Sequence, residues 1–355
     1  MRRRRTLVVG TAGLLVTAAA LGIYFYGAFW GWWARPTVRD APEARPASVE
    51  PLARGLHYPF DLAFLPDGSA LVTERESGLL RKVGPGGQVT DLRTIDGIAE
   101  PTRQAGLQGV AVSPAYEEDG WVYVYYTTET DSRVSRLKLD SSAPPEPILT
   151  GIPSGEIHNG GRIRFGPDGM LYITTGEADD RPLAQDQDDL GGKILRVTAE
   201  GEPAPGNPKA GSPVYGWGFR DPQGLAWDDK GELYVSDFGH HNLDELNHVT
   251  AGGNYGWPEV EGTGGEPEFT DPIATWKPAD ASPSGMTYHD GKIWIACLRG
   301  ERLYRIGTDG SSPEQLLTGE YGRLRLVTPA PDGSLWVLTN GRGGPDHDLI
   351  LRVTP

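Results

Sequence analysis

The sequence predicts an all-β protein that folds as a six-bladed β-propeller, and three observations support this fold. A phrase made of a short apolar strand, a turn resembling Pro-Asp-Gly and a second strand rich in Val, Tyr and Trp recurs six times between Pro59 and Pro355. A repeat spaced by roughly 40 to 60 residues is typical of propellers, because each unit is one small sheet that buries its faces only against its neighbours. The 49 glycines and 30 prolines suit a chain with many turns, and no long amphipathic helix pattern follows Pro51.

Each copy of the phrase has the pattern of a β-hairpin. In the third copy, Leu171 and Ile173 alternate with Tyr172 and Thr174, which is the period of a strand. A further strand-like run near Leu195 would help to complete the four strands that propeller blades use. The six copies begin at Pro59, Gly106, Gly160, Asp221, Ser282 and Arg323.

The N-terminal segment has the pattern of a membrane anchor. Four arginines at residues 2–5 precede an uncharged, mostly apolar run from Thr6 to Trp33. Such a run is long enough to span a bilayer, and the arginines would keep the N-terminus in the cytoplasm. A cleaved secretory signal, cut near the small residues 18–20, is the alternative. Both interpretations predict an extracytoplasmic propeller, either anchored to the cell membrane or secreted.

These patterns divide the chain into three parts. Residues 1–34 are the signal anchor or signal peptide, residues 35–50 are a Pro-containing tether, and residues 51–355 are the propeller, which is the expected catalytic domain.

Charge and cysteine content exclude two classes of site. The formal net charge of −15 argues against a nucleic-acid partner. Cys297 is the single cysteine, so an intramolecular disulfide and a CxxC zinc site are both excluded. The spacing of His240, His241 and His248 fits no common zinc-ligand pattern.

Function must lie in the loops at one mouth of the ring, because the propeller scaffold itself hosts many activities. Unusual polar detail is concentrated in three loop regions, at residues 103–109, 156–169 and 215–258. Their most specific motifs are R-D-P-Q-G-L-A-W from Arg220, D-E-L-N from Asp244, G-G-N-Y-G-W-P from Gly252, H-N-G-G-R-I from His158 and F-G-P-D-G-M-L-Y from Phe165.

With these motifs the chain resembles, over essentially the whole propeller, the glucose/sorbosone dehydrogenase family of soluble aldose sugar dehydrogenases that use pyrroloquinoline quinone (PQQ). The resemblance implies that PQQ lies at the mouth of the ring and that the anomeric hydroxyl of an aldose is oxidised to a lactone. Electrons would then pass to an external acceptor.

The resemblance also implies roles for individual residues. His158 matches the catalytic histidine, and an imidazole is a suitable base at neutral pH. Arg220 would lie beside the quinone oxygen as the second catalytic residue. Further cofactor contacts would come from Gln104, Asp221, Arg299, Arg323 and Arg325, since the carboxylates of PQQ call for several guanidinium groups.

Calcium is the second cofactor that the resemblance implies. Backbone carbonyls at Gly239 and His240 match positions that hold an ion against PQQ. A structural ion would draw on Glu245 and the main chain of Tyr255. The alternative for these four residues is hydrogen bonding within a long loop.

Several positions depart from the family pattern or have two interpretations. Asp221 stands where sugar-oxidising relatives have Asn, and Glu177 replaces an Asp near the substrate. Trp276 would form either an apolar wall over the cofactor or sugar, or part of a blade core.

Two other functions stay open from the sequence. The chain could be a non-catalytic, calcium-stabilised propeller that binds a carbohydrate or protein ligand, and Asp221 favours this alternative most. Hydrolysis of a lactone or ester would need a carboxylate and Asn cluster on the ring axis, which the sequence does not reveal.

Overall fold

The chain folds as a ring of six four-stranded sheets, which confirms the predicted β-propeller. The computed structural model describes residues 37–100, 104–265, 267–341 and 347–355. In these residues every paired strand runs antiparallel to its neighbours within a sheet.

Five blades are built from strands that follow one another in the chain. The first comprises β2 (Pro59–Phe64), β3 (Ala70–Glu74), β4 (Leu79–Val83) and β5 (Val89–Thr94). The second comprises β6 (Leu107–Val112), β7 (Trp121–Thr127), β8 (Ser132–Lys138) and β9 (Glu146–Ile152). The third comprises β10 (Ile163–Phe165), β11 (Leu171–Thr175), β12 (Lys193–Val197) and β13 (Val214–Trp217). The fourth comprises β14 (Pro222–Trp227), β15 (Leu233–Asp237), β16 (Asp244–Val249) and β17 (Ala274–Trp276). The fifth comprises β18 (Pro283–His289), β19 (Lys292–Cys297), β20 (Arg302–Ile306) and β21 (Glu314–Leu316).

The sixth blade joins the two ends of the propeller. It comprises β22 (Leu324–Pro329), β23 (Leu335–Thr339), β24 (Asp348–Thr354) and β1 (Ser48–Leu56). Strand β1 pairs with β24 from Ser48 opposite Thr354 to Leu56 opposite Asp348. The ring is therefore closed by backbone hydrogen bonds between its first and last strands, with β1 as the outermost strand of this blade.

Helical structure is limited in the described residues to two short turns. These are α1 (Tyr116–Asp119) and a 3-10 turn, Arg181–Ala184. The described residues contain no helix long and apolar enough to cross a membrane, and the predicted anchor at residues 1–34 lies outside them.

Aromatic side chains fill the gaps between adjacent blades. Tyr123 and Phe165 meet edge to face with ring centroids 5.1 Å apart, and Phe64 meets Trp336 at 4.9 Å. Such pairs add to the free energy gained from burying apolar area. The strands of the repeat thus supply the packing between blades as well as the sheets themselves.

A buried ion-pair hub connects three blades. Asp61, on β2, is fully buried and lies 2.6 Å from a guanidinium nitrogen of both Arg162 and Arg164. Arg162 also donates to the carbonyls of Phe60 and Gln223. Burial alone would raise the pKa of Asp61, but the two arginines lower it below its ordinary value. The hub fixes the starts of β2 and β14 relative to each other.

Residues ahead of the closure strand lie against the propeller. The backbone N–H of Val38 donates to the carbonyl of Thr275, and Val38 and Ala41 are buried in the core of the fourth and fifth blades. Glu43 forms a bridge with Gln315 on β21. The described part of the predicted tether at 35–50 therefore packs along the blades, and the β-structure begins at Ser48 rather than after residue 50.

Candidate functional site

One mouth of the ring opens into a cavity of about 820 Å³ to which all six blades contribute. Most of its lining residues lie near the start of the first strand of a blade or just after the end of the second strand. Nine of the residues predicted for the site line this cavity: Gln104, His158, Arg220, Asp221, Gly239, His240, Arg299, Arg323 and Arg325.

His158 is held by contacts at its backbone and at both ring nitrogens. Its backbone N–H donates to Oε1 of Gln104 over 2.6 Å. Its Nδ1 lies 2.8 Å from Oε1 of Glu177, and its Nε2 lies 2.7 Å from a terminal nitrogen of Arg220. A guanidinium can only donate, so Nε2 accepts and the ring proton is assigned to Nδ1, which donates to Glu177. This neutral tautomer leaves the basic nitrogen on the cavity side.

The backbone of His158 packs so closely against Gly176 that no larger residue fits at position 176. The backbone φ of His158 is 58°, in the left-handed region. A Cβ added at Gly176 would lie 1.9 Å from the carbonyl oxygen of His158. Only glycine permits this approach, and it brings the following residue, Glu177, beneath the imidazole.

Arg220 links the base to the neighbouring loop. Its guanidinium donates to the carbonyls of Phe238 and Gly239 over 3.2 and 2.9 Å. The guanidinium carbon also lies 5.5 Å from the ring centroid of Trp257. With the contact to His158, these interactions fix a permanent positive charge on the wall of the cavity.

Asp221 is a fully buried carboxyl on the same wall. It accepts hydrogen bonds from the backbone N–H of Gly160 at 2.9 Å and from Nε2 of Gln223 at 3.1 Å. Burial raises the pKa of Asp221, and the hydrogen bond from the backbone of Gly160 and the charge of Arg220 oppose that shift. The same Gln223 side chain accepts from Arg325, so a hydrogen-bonded chain runs from Asp221 to Arg325 across the cavity floor.

Arg325 is a buried cation whose hydrogen-bond acceptors, the side chains of Gln223 and Ser284, are both neutral. It is 4 % exposed, lies over the ring of Phe60, and donates to the side-chain oxygens of Gln223 and Ser284. Its Nε has no partner among the described residues. Burial, followed by the charges of Arg75, Arg323 and Arg162, lowers the pKa of Arg325. A buried guanidinium in this setting would be stabilised by an anionic ligand bound in the cavity.

The described acidic residues on the cavity wall do not offset its positive charge. They are Asp221 and Asp244, whereas five arginines line the cavity. Burial raises the pKa of Asp244 to about 7. The donor set therefore fits a ligand that carries several carboxylates.

The residues predicted to hold calcium fall into two groups. Gly239 and His240 lie on the cavity wall, where the Gly239 carbonyl already accepts from Arg220. Glu245 and Tyr255 do not line the cavity. The ring of Tyr255 stacks on Phe219 with centroids 4.6 Å apart.

The surroundings of Glu245 offer oxygen ligands to a cation. Its carboxylate accepts from the backbone N–H of Gly262 and from Nδ2 of Asn247. Burial and the nearby Asp237 raise the pKa of Glu245 to about 8. The Oδ1 atom of Asn247 is buried without a partner in the described part of the chain. Carboxylate and amide oxygens are ligands that calcium prefers, so this position fits a calcium ion.

Another acidic cluster belongs to the base. His158, Glu177 and Asp179 place potential ligand atoms within 4.8 Å of one another. Since the contact between His158 and Glu177 is the one that orients the imidazole, we assign this cluster to holding the ring of His158 in place.

Two residues predicted for the substrate lie elsewhere. Glu177 is 1 % exposed and contacts Nδ1 of His158 instead of lining the cavity, so its place is behind the base. Trp276 is fully buried in the core of the fourth and fifth blades, 5.5 Å from the ring of Tyr304. Of its two interpretations, the structure supports the blade core.

Three polar residues of the cavity wall, Arg75, Gln223 and Asn340, are among those that sequence reasoning missed. Arg75 and Asn340 each directly follow the second strand of a blade, the position that Arg299 and Gly239 approach in their own blades. Aligning the repeats at this point would have found both. Gln223 stands inside the R-D-P-Q-G motif, and its role as the bridge to Arg325 depends on a contact between distant blades.

Comparisons with known proteins agree with this geometry. The family described as "Glucose / Sorbosone dehydrogenase" matches residues 56–352. The PQQ-bound aldose sugar dehydrogenase of Streptomyces coelicolor is 48% identical in sequence, with a TM-score of 0.81 over 87% of this chain and 100% of that one.

Two relatives in sequence carry related names. The aldose sugar dehydrogenase YliI of Escherichia coli is 28% identical over 366 residues, which cover 91% of this chain and 95% of that protein. The quinoprotein glucose dehydrogenase B of Acinetobacter calcoaceticus is 30% identical, over 58% of this chain and 51% of that protein.

Proposed function

Since the chain belongs to the glucose/sorbosone dehydrogenase family, we propose that it oxidises the anomeric hydroxyl of aldose sugars to lactones with PQQ as its cofactor. The observation that carries this proposal is a base-competent imidazole, His158, in one cavity with the buried, anion-seeking guanidinium of Arg325. The names of the relatives in Streptomyces and Escherichia coli support both the sugar and the quinone.

The chain's own residues account for the proton. A sugar hydroxyl placed between His158 and Arg220 would give its proton to Nε2 while its oxygen accepts from the guanidinium. Glu177 would stabilise the imidazolium through Nδ1. PQQ, when bound, supplies the two-electron acceptor that takes the hydride from the anomeric carbon. His158 then releases its proton to solvent, and the sugar leaves as the lactone.

Arginines on the opposite side would hold the cofactor. Arg325 and Arg323 lie near each other on the last blade, and Arg299 reaches the same cavity from the fifth. Their fixed donor geometry suits carboxylates. Gln104, which accepts from the backbone of His158, positions the base beside them.

Calcium is a further part of the proposal. The carbonyls of Gly239 and His240 would hold an ion beside the cofactor, and Glu245 with the Tyr255 main chain would hold a structural one. The unpartnered Oδ1 of Asn247 and the raised pKa of Glu245 support the second position. A bound cation would replace the proton that burial otherwise favours on Glu245.

We propose an extracytoplasmic location, with electrons passed to an acceptor outside the cytoplasm. The arginines at residues 2–5 and the apolar run from Thr6 to Trp33 support this location. Fractionation of cells, with N-terminal sequencing of the protein recovered, would distinguish an anchored chain from a cleaved one. Recovery of the propeller in the cytoplasm would contradict both forms.

Dye-linked turnover tests the proposed reaction. The purified chain is supplied with PQQ and calcium, and dye reduction is followed with a panel of aldoses. We expect activity in the wild type, and a loss of about a hundredfold or more in His158→Ala, the range for removal of a general base. The matched control is His248→Ala, because His248 pairs with Glu232 outside the cavity. Tight PQQ binding without turnover would instead support a ligand-binding propeller.

A further inference from the structure

A second concave surface adjoins the mouth of the cavity. This groove has a volume of about 520 Å³. Three residues, His241, Pro278 and Arg299, line both the groove and the cavity. A ligand too long for the cavity can therefore continue into the groove.

The groove is cationic, although the whole chain carries a formal net charge of −15. Arg39, Lys277 and Arg299 line it with exposed cationic side chains, and the exposed ring of His241 lies beside them. None of the described residues in its lining is acidic. A local surplus of positive charge on an acidic protein favours an anionic ligand at this place.

The segments that carry these cations are fixed by hydrogen bonds. Arg39 follows Val38, whose buried side chain and N–H bond to Thr275 anchor the strip to the fourth blade. The loop with His241 is anchored at Glu261, whose Oε1 accepts four consecutive backbone N–H groups from His240 to Leu243. The cations are thus presented by ordered backbone.

The turn that carries Lys277 is fixed in the same way. The backbone N–H of Asp280 donates to the carbonyl of Lys277 over 2.8 Å. The hydroxyl of Ser282 donates to the carbonyl of the next residue, Pro278. Three separate segments therefore converge on one groove with little freedom to move apart.

We propose that this groove is a subsite for the carboxylate of an acidic disaccharide or longer acidic oligosaccharide, whose reducing-end ring occupies the cavity. The proposal rests on the proposed sugar oxidation. Oxidation at the anomeric carbon requires a free reducing end beside His158, so the next ring must point out of the cavity. The shared wall at Arg299 and His241 leads that ring into the groove, where Arg39 and Lys277 meet its carboxylate.

The test compares two substrates that differ in one group. Cellobiose and glucuronosyl-β-1,4-glucose have the same reducing-end glucose, and only the second carries a carboxylate on its outer ring. We expect a higher kcat/KM for the acidic sugar at low ionic strength, with the preference shrinking as salt is added. In the double variant Arg39→Gln, Lys277→Gln the ratio of acidic to neutral kcat/KM should fall about three- to tenfold, the range for exposed ion pairs.

A matched variant controls for the loss of charge. Lys230→Gln removes an exposed lysine from the turn between β14 and β15, at the far end of those strands from the cavity. It should leave the ratio unchanged. Equal ratios in the wild type and the double variant would overturn the proposal, as would an equal fall in Lys230→Gln.

A binding measurement separates failure of the subsite from failure of the proposed reaction. The methyl glycoside of glucuronosyl-β-1,4-glucose has no free anomeric hydroxyl and cannot be oxidised. Calorimetry should show tighter binding of this glycoside to the full chain than of methyl cellobioside, with the difference reduced in the double variant. If neither sugar is oxidised but the binding difference is present, the proposed reaction is rejected and the subsite is supported. Oxidation of both sugars with no binding difference would reject the subsite alone.

Discussion

The imidazole of His158 has its tautomer set by two charged neighbours. Arg220 donates to Nε2, and Glu177 accepts from Nδ1. In the proposed reaction Glu177 would be a positioning residue, because it would act on the substrate through the imidazole.

Replacing Glu177 with Gln should lower turnover. The hydrogen bond to the charged form of His158 is lost, and such bonds contribute about 1.5–3 kcal/mol, which corresponds to a fall in kcat of about ten- to hundredfold. Dye-linked kinetics should show the loss mainly in kcat, with KM little changed. Glu232→Gln is the control, since Glu232 makes the same kind of contact with the surface residue His248. An increase in KM with kcat unchanged would contradict the positioning role.

Asp221 should make stability depend on pH. Its pKa is raised in the folded protein by burial, from an ordinary value of 3.8. The folded state therefore keeps a proton that the unfolded state releases, and the free energy of unfolding falls as pH rises from about 4 through the folded pKa. Asp221→Asn should flatten this part of the Tm-versus-pH curve. An unchanged slope in the variant would show that Asp221 is ionised throughout.

The motifs and the family resemblance predicted nine of the residues that line the cavity, but not the partners of those residues. The H-N-G-G-R-I and R-D-P-Q-G motifs contain His158, Arg220 and Asp221, and the structure brings all three to the cavity. Trp276 was ambiguous, because a Trp at the end of a strand has the same sequence pattern in a core and over a ligand. The contact between Glu177 and His158 joins loops 19 residues apart, and no local pattern reports it.

Strands and blades followed from the repeats wherever the alternation of apolar residues was regular. The sequence analysis assigned residues 35–50 to a Pro-containing tether, so it did not predict that residues 37–47 pack on the blades or that β1 begins at Ser48. Their positions depend on partners at the other end of the chain, Thr354 among them. Pairing of that kind has no signal in a local stretch of sequence.

The stability of the blades that meet at Asp61 should depend on its buried ion pairs with Arg162 and Arg164. Asp61→Asn would leave Arg162 and Arg164 without their buried carboxylate, and breaking a buried pair costs about 3–5 kcal/mol. Thermal or urea unfolding should show this loss in the free energy of unfolding. Glu146→Gln, which removes the exposed partner of Arg136, should cost less than about 1 kcal/mol. Equal effects of the two substitutions would mean that the hub does not join the blades.

For the whole molecule, calcium should contribute to stability. A ligand bound at a hundred times its Kd adds about 2.7 kcal/mol, so chelation should lower the Tm of the calcium-loaded protein by about 5 °C. In Glu245→Gln the shift on chelation should be smaller, because the variant lacks the carboxylate predicted to bind the ion. Scanning calorimetry with and without chelator measures both. An identical shift in the variant would place the stabilising ion elsewhere.

The blades together place an excess of guanidinium groups over carboxylates around the cavity at the mouth of the ring. Titration of the purified full chain with PQQ, followed by quenching of tryptophan fluorescence, tests the effect of that excess directly. We predict saturable binding to the wild type, and binding weakened about ten- to hundredfold in Arg325→Gln, the effect of losing a charge-assisted hydrogen bond. The control is Arg136→Gln, which removes a half-buried arginine of β8 outside the cavity and should bind PQQ as the wild type does. Failure of the wild type to bind PQQ, or equal binding by Arg325→Gln, would contradict the account.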